Sequence, residues 1–323
     1  MNFEKSFKTF HTVRTIFKPT TIDDLCISHQ FKQYLKKFIR NNSFHILFYG
    51  SKDTGKTSIL NCMLNEYYTD IYDKNEYIMK IQGLCEHSMS ILKTDIMSFC
   101  MYPTSNKKRT LVVDDIDLLN SNGYDIILKC LNLYKNNINI IITCVDKYKL
   151  CDQILSRLIL IQCKYDEERF AELYHEQLFK LPFKMEDKKA TDIIFKHANY
   201  SFRILHSLFD KLIYSGRNVY TVASLISICG IIDVTTFDKY TKSWLNKNLV
   251  EANEQLKLFM NKGYTVVDVL ELYFVYIKSC DFIPDKIILK VIQAISEYIT
   301  YFYAIHENPI ELFFLTHELI MLT

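Results

Sequence analysis

Phe44-His-Ile-Leu-Phe-Tyr-Gly50-Ser51-Lys52-Asp53-Thr54-Gly55-Lys56-Thr57-Ser58 decides the fold of the first half of the chain. An apolar run, Phe44–Tyr49, leads directly into the pattern G-x-x-x-x-G-K-[ST], and a helical pattern over Thr57–Tyr68 follows at once. Each residue type has a physical reason to be there. Glycines let the backbone curl so that successive N–H groups converge on phosphate oxygens. The N-terminus of the following helix adds partial positive charge at the same place. Lys56 would reach the β- and γ-phosphates, and the Thr57 hydroxyl would ligate Mg²⁺. The bland reading, a glycine turn that caps a helix, leaves the lysine and the strand-before, helix-after order unexplained. Gly50, Ser51, Lys52, Asp53, Thr54, Gly55, Lys56, Thr57 and Ser58 are therefore expected to surround ATP and Mg²⁺.

Outward from this loop, short apolar runs alternate with amphipathic stretches. Phe44–Tyr49, Tyr77–Ile81, Leu111–Val113 and Ile138–Cys144 read as buried strands, with helical patterns at Thr57–Tyr68 and Tyr124–Tyr134 between them. Strands alternating with helices predict a parallel sheet with helices on both faces, an α/β domain. Thr110-Leu-Val-Val-Asp114-Asp115-Ile-Asp117 is an apolar strand ending in carboxylates, which an open parallel sheet places at its C-terminal edge beside the phosphate loop. There Asp114 would hold Mg²⁺ through water and Asp115 would polarise an attacking water. A helix N-cap is the structural alternative for these aspartates.

After Cys163 the strand signals stop. Helical periodicity runs through Asp166–Phe179, Lys188–His197, Phe202–Tyr214, Phe237–Leu249, Leu256–Asn261 and Thr265–Ser279 to a long apolar finish. The expected architecture is α/β followed by all-α.

Composition excludes several classes. The 323 residues are 49% hydrophobic and 24% charged, which rules out large disordered or fibrous arrays. Ten cysteines occur singly, without C-x-x-C pairs or zinc-ligand spacing, and read as reduced buried thiols of an intracellular protein. The N-terminal stretch lacks the apolar core of a signal peptide, and no uninterrupted run of 18 apolar residues suggests a membrane span. The net charge of +2 hides an asymmetry: residues 1–163 carry 21 Lys/Arg against 16 Asp/Glu, and residues 164–323 carry 18 against 21. That balance permits nucleic-acid contact without demanding it. The richness in Lys, Asn, Ile and Tyr is the usage of an AT-rich genome.

Several segments together resemble the small subunits of replication factor C, the AAA+ sliding-clamp loader. Phe17-Lys18-Pro19-Thr-Thr-Ile-Asp23-Asp24-Leu25 is similar to the family's Y-R-P-x-x-[LF]-D-D-[LI], which lies against adenine. Gly50–Ser58 resembles G-P-P-G-T-G-K-T-[ST] without its prolines, and Leu111–Asp117 stands where the family writes an apolar run and D-E-A-D. Ser156-Arg157-Leu158 resembles the S-R-C box, and Asn199-Tyr-Ser-Phe-Arg203-Ile-Leu resembles G-D-M-R-R-A-L. Ile228-Cys-Gly230 falls where the family's lid closes, and Asn261-Lys-Gly263-Tyr264-Thr-Val-Val-Asp268-Val-Leu resembles the collar's L-x-x-x-G-Y-S-x-x-D-I-L. The resemblance spans about residues 12–320 and marks a divergent relative, with a viral source compatible with the amino-acid usage.

This resemblance implies three parts: an AAA+ P-loop NTPase domain at 1–163, a helical lid at 164–230 and a helical collar at 231–323. It implies ATPase activity that loads a sliding clamp onto primer–template DNA, within a ring-like assembly of five subunits. Phe17, Lys18 and Pro19 would join the adenine site. Arg157 would be an arginine finger reaching the neighbouring subunit's ATP, and Arg203 would come from the lid onto the subunit's own nucleotide. Ser88, Ser90 and Lys93 would contact DNA phosphates. The implied place of action is the nucleus or a cytoplasmic site of viral DNA replication.

Two departures point to slow turnover. Asp115 stands where many relatives have Glu, so its carboxylate is withdrawn by one methylene. Val145 stands where the family ends a strand in Asn, leaving Thr143 or Asp146 as substitutes or the first sensor lost. An origin-recognition or helicase-loader AAA+ protein, and a clamp-loader subunit that binds ATP without hydrolysing it, are the rival readings. The clamp contact is not legible, although the Tyr67/Tyr68 pair and Met101-Tyr102-Pro103 are candidates.

Overall fold

The computed structural model describes residues 12–82, 89–104, 107–230, 234–278, 280, 283–304 and 308–322. They form two compact units, divided between Val222 and Ala223.

The first unit is organised by five parallel strands, β1 (His45–Tyr49), β2 (Ile78–Gln82), β3 (Arg109–Asp114), β4 (Ile138–Cys144) and β5 (Ile159–Gln162), in the spatial order β2-β3-β4-β1-β5. Period-two alternation divides each central strand between two cores. Leu47, Leu111, Val113, Ile140 and Ile142 face one cluster, whereas Ile46, Phe48, Val112 and Ile141 face the other. β4 is buried at all seven positions because both its faces are covered. Helices α1 (Val13–Ile16), α2 (His29–Arg40), α3 (Lys56–Tyr67), α4 (Met89–Met101) and α5 (Ser121–Leu133) precede and interleave with the strands. α2 and α3 supply Leu35, Ile59, Leu60, Met63 and Leu64 to one cluster, and α4 and α5 supply Ile96, Ile126, Ile127 and Leu131 to the other. Each such side chain removed from water stabilises the fold by about 1.5–3 kcal/mol.

Beyond β4 come α6 (Asp152–Leu155), α7 (Glu167–Lys180), α8 (Lys188–Ala198) and α9 (Phe202–Ser215). Strand structure does not stop at Cys163 as the periodicity suggested. Lys184–Met185 (β6) and Val219–Tyr220 (β7) form a short parallel pair, too short to carry a periodic signal. The edge strand β5 also escaped the sequence reading, because three of its four residues are exposed and it lacks a buried pattern. α7–α9 pack through aromatic rings: Phe170 lies 4.5 Å from Phe202 and 5.7 Å from Phe195, and Tyr174 OH donates to the Thr191 carbonyl at 2.8 Å.

α10 (Val222–Cys229) begins at the boundary between the units. The second unit continues with α11 (Val234–Leu245), α12 (Leu249–Asn261), α13 (Val266–Lys278), α14 (Asp285–Ala304) and α15 (Ile310–Met321). The helix expected over Phe237–Leu249 is in fact broken. Lys247 takes a left-handed backbone, and the Asn248 side chain accepts the Glu251 N–H at 3.3 Å, starting a new helix. The core of this unit is anchored by Trp244, whose Nε1–H donates to Tyr273 OH at 2.8 Å, while Tyr240 OH and Thr316 Oγ1 lie 2.8 Å apart. Thr265 and Asp268 cap α13 reciprocally, with Asp268 N–H donating to Thr265 Oγ1 at 3.1 Å and Thr265 N–H to Asp268 Oδ2 at 3.3 Å. The Asp of the G-Y-x-x-x-D segment therefore has a structural task.

Among the described residues no helix is long and apolar enough to cross a membrane.

Candidate functional site

The phosphate-loop segment forms the turn between β1 and α3. Two of its positions demand unusual backbone. A Cβ on Gly50 would lie 2.6 Å from the Cys163 carbonyl, so the end of β1 can approach the end of β5 only without a side chain there. Gly55 is left-handed (φ 80°) and caps α3. Lys56 is 7% exposed and donates to the Gly50 and Ser51 carbonyls, each at 2.9 Å. Among the described residues no carboxylate pairs with it. A buried ammonium whose hydrogen bonds go only to neutral carbonyls, with no carboxylate at ion-pair distance, can take a further anion. Thr54 Oγ1 donates to Ser51 O at 2.9 Å, which tightens the loop; Ser51, Lys52 and Thr57 are exposed and Ser58 is half-buried.

Across the sheet edge, Thr57 Oγ1 lies 3.3 Å from both Asp114 carboxylate oxygens. A hydroxyl beside a carboxylate is the hard oxygen donor set that Mg²⁺ takes, so the residues present fit that ion. The sheet order explains the meeting. β4 lies between β1 and β3, and its Thr143, opposite Phe48 of β1, is fully buried. Thr143 Oγ1 donates to Asp114 Oδ1 at 2.5 Å and accepts the Asp115 N–H at 2.9 Å. One hydroxyl thus fixes both aspartates. Of the two substitutes offered by the sequence, Thr143 is at the aspartates. Asp146 instead caps its own turn by accepting the Tyr148 N–H at 2.9 Å, and the Val145 N–H donates to Asp117 Oδ2 at 3.3 Å.

Asp115 is left-handed (φ 52°), a conformation that Asp tolerates better than most residues. Its pKa is pushed above the usual carboxylate value by burial and then by the neighbouring charges of Asp114 and Asp117, with Lys56 and Arg203 acting in the opposite direction. The aspartates are thus not merely helix caps, although Asp115 does precede a short 3₁₀ turn, Ile116–Leu118.

The turn between α8 and α9 faces the phosphate loop. Asn199 and Tyr200 are both left-handed (φ 44° and 59°), about 1–2 kcal/mol of strain for an aromatic residue. Tyr200 stacks on Tyr165 with centroids 4.9 Å apart and planes at 13°, which offsets part of that strain. The turn delivers Ser201 and Arg203 to Asp53: Ser201 Oγ donates to Asp53 Oδ2 at 3.1 Å, and Arg203 Nε lies 3.1 Å from Oδ1. The sequence placed Asp53 among loop residues around phosphate and did not anticipate this pairing. The available signal was an acid at the fourth position of a segment whose relatives have glycine there.

Phe17, Lys18 and Pro19 run between the helices that flank the site. The Phe17 ring is 6.1 Å from His206 on α9, the Pro19 carbonyl accepts from Cys62 Sγ on α3 at 3.5 Å, and Lys18 is exposed. Arg157 lies apart from the phosphate loop's partners. It is exposed, with Nε donating to Asn132 Oδ1 at 2.7 Å and one terminal nitrogen donating to Gln153 O at 2.5 Å. Among the described residues no carboxylate pairs with it.

Of the DNA candidates, Ser88 lies outside the described residues, Ser90 falls in the first turn of α4, and Lys93 is exposed on the same helix. The Lys107-Lys108-Arg109 run is largely engaged elsewhere: Lys107 pairs with Asp70 at 3.1 Å, Lys108 donates to Ser43 Oγ at 3.2 Å, and Arg109 lies over the Phe99 ring at 5.2 Å. Tyr67 and Tyr68 are core residues, 2% and 0% exposed, whereas Met101 and Tyr102 are exposed.

The family model for the replication factor C C-terminal domain matches residues 235–299. A protein of Acanthamoeba polyphaga mimivirus named as a replication factor C small subunit is 21% identical over 286 residues, 87% of this chain and 88% of its own length. The replication factor C small subunit of Methanococcus vannielii is 22% identical over 291 residues, 87% of this chain and 89% of that protein. Among solved structures, a DNA replication initiation factor superposes with a TM-score of 0.57 at 14% identity, covering 94% of this chain and 97% of that one. The Thermotoga maritima RuvB Holliday junction branch migration motor superposes at 0.52 and 15% identity, covering 70% and 79%. These likenesses establish the AAA+ fold. By sequence and domain match, the chain is similar to the replication factor C small subunits.

Proposed function

We propose that the chain is an ATP-dependent subunit of a DNA sliding-clamp loader acting in replication. The observation that carries the reading is the buried Lys56 ammonium. Its hydrogen bonds go to carbonyls and no carboxylate among the described residues pairs with it, at the head of a loop whose Thr57 faces Asp114. A nucleoside triphosphate supplies an anion for it, and the relatives' name supplies the clamp-loader context.

In this reading the loop from Gly50 to Ser58 holds the triphosphate with its N–H groups and Lys56, and Phe17, Lys18 and Pro19 border the base. Thr57 and Asp114 would hold Mg²⁺, which when bound neutralises developing phosphate charge. Thr143 keeps the Asp114 carboxylate in place and takes the polar role that relatives give to Asn. Asp115 accepts the proton of the attacking water. Its raised proton affinity suits a base, but its short arm makes turnover slow. Arg157, exposed and hydrogen-bonded to Asn132, Gln153 and Ser156, is available to a neighbouring subunit's nucleotide, and Arg203 senses the subunit's own. Residues 1–163 then act as the ATPase domain, 164–230 as the lid and 231–323 as the collar of a five-membered ring. Differential affinity of the ATP and ADP states for DNA and clamp drives loading. Lys93 and Ser90, with Ser88, would lie along the DNA.

ATPase assays on the assembled complex, with and without primed DNA and clamp, test this. Stimulation by both, lost in Lys56→Ala, is expected. No stimulation by either, in an assembled complex with Lys56 intact, refutes clamp loading. A preference for duplex origin DNA over primer–template junctions would favour the origin-loader reading instead. Nucleotide binding without hydrolysis would assign the chain a structural place in the ring.

A further inference from the structure

Asp53 is a loop residue whose side chain the proposed reaction does not use. It stands where the family segment has glycine, and it adopts a left-handed backbone (φ 66°) that favours glycine. Its carboxylate is occupied from across the cleft. Ser201 caps α9 by accepting the Ile204 N–H at 3.3 Å, so the single proton of its hydroxyl goes to Asp53 Oδ2 at 3.1 Å. Arg203 Nε is 3.1 Å from Oδ1, yet that buried oxygen has no aligned hydrogen bond. Charge alone holds the arginine there, and such a contact exchanges readily. A cleft of about 140 Å³ opens beside it, its lining including Lys52, Asp53, Tyr165, Asn199, Tyr200 and Ser201.

We propose that Asp53 is a resident anion which holds Arg203 and the start of α9 over the phosphate loop until nucleotide binds, and that the terminal phosphate of a nucleoside triphosphate takes Arg203 from it. The inference rests on the reading of residues 50–58 as a phosphate site. Carboxylate and phosphate compete for one guanidinium, and at neighbouring positions they also repel. Binding ATP therefore requires breaking the Asp53–Arg203 pair, which lowers affinity for nucleotide. A diphosphate does not reach Arg203 and leaves the pair intact. Asp53 is thus a positioning residue that sets affinity and the distinction between triphosphate and diphosphate.

Titration calorimetry with Mg·ATP and Mg·ADP on the full chain, Asp53→Asn, Asp53→Gly, Arg203→Ala and the Asp53→Asn/Arg203→Ala double variant tests this. Asn tolerates the left-handed backbone and Gly favours it, and thermal melts verify folding. Asp53→Asn is expected to bind ATP about three- to tenfold more tightly, with a smaller gain for ADP. Arg203→Ala should weaken ATP binding more in the Asp53→Asn background than in the wild type, because only there is the arginine free beforehand. Hydrogen exchange of the α8–α9 turn without nucleotide should be faster in Asp53→Asn. Unchanged or weaker ATP binding by both folded Asp53 variants, while Lys56→Ala abolishes binding in the wild type, overturns the inference and leaves the phosphate site standing. Absence of nucleotide binding in the wild type removes the site, and the inference with it.

Discussion

Replacing Thr143 by Val removes one oxygen at nearly constant volume from a fully buried position. Two hydrogen bonds disappear. The Asp115 N–H loses its acceptor at 2.9 Å, and the Asp114 carboxylate loses a donor at 2.5 Å. A neutral hydrogen bond contributes about 1 kcal/mol and one to a charged group about 1.5–3, so the unit should lose about 2–4 kcal/mol. Asp114 is partly exposed and recovers some water, which favours the lower half of that range. For a unit of this size each kcal/mol lowers Tm by about 2–4 °C, giving a fall of about 5–10 °C. Freed from its anchor, Asp114 should also turn the metal site loose, with a loss of about 10–100-fold in Mg²⁺-dependent ATPase activity. Thr143→Ser keeps the hydroxyl and should retain most of the activity while losing only a methyl contact. Calorimetric melts and ATPase rates over a magnesium titration read both effects. A Thr143→Val protein that melts within about 2 °C of wild type and hydrolyses ATP equally well would refute the argument that this hydroxyl organises the two aspartates.

Arg157→Ala should leave nucleotide affinity of the isolated chain unchanged, since its hydrogen bonds go to Asn132, Gln153 and Ser156, and should reduce ATPase activity of the assembled ring by about 10³-fold; an equal loss in the isolated chain would contradict action in trans. Asp115→Glu extends the carboxylate and should raise kcat by about tenfold; an unchanged low rate would show that reach is not the limit. Burial, helped by the Arg14 cation, pushes the pKa of His206 down to about 4 from 6.5, so the unfolded chain takes up a proton before the folded one does. The sign follows: stability is full above pH 6.5 and falls as pH drops toward 4, by on the order of 3 kcal/mol. Tm measured against pH should show that fall in wild type and a flatter profile in His206→Gln.

Much of the fold was legible because its signals are local. A buried parallel strand is a continuous apolar run, and Ile138–Cys144 was read with the observed bounds. What failed was short or exposed: β5, with three exposed residues, and the two-residue β6 and β7. The helix break at Lys247–Asn248 was missed because apolar periodicity carries across it, although the capping pair Asn248 and Glu251 is visible in the sequence.

The candidate site divides along the same line. By itself the sequence determined the phosphate loop, the strand ending in Asp114 and Asp115, and the change from α/β to helical structure, because turn chemistry and periodicity operate over a few residues. Only the tertiary structure decided that β4 enters between β1 and β3, so that Thr143 rather than Asp146 meets Asp114. It alone brought Ser201 to Asp53, 148 residues apart in the chain. Such pairings depend on strand order and helix packing, which close long loops at an entropic cost that burial of two cores offsets, and no local pattern encodes which distant partner that closure will deliver.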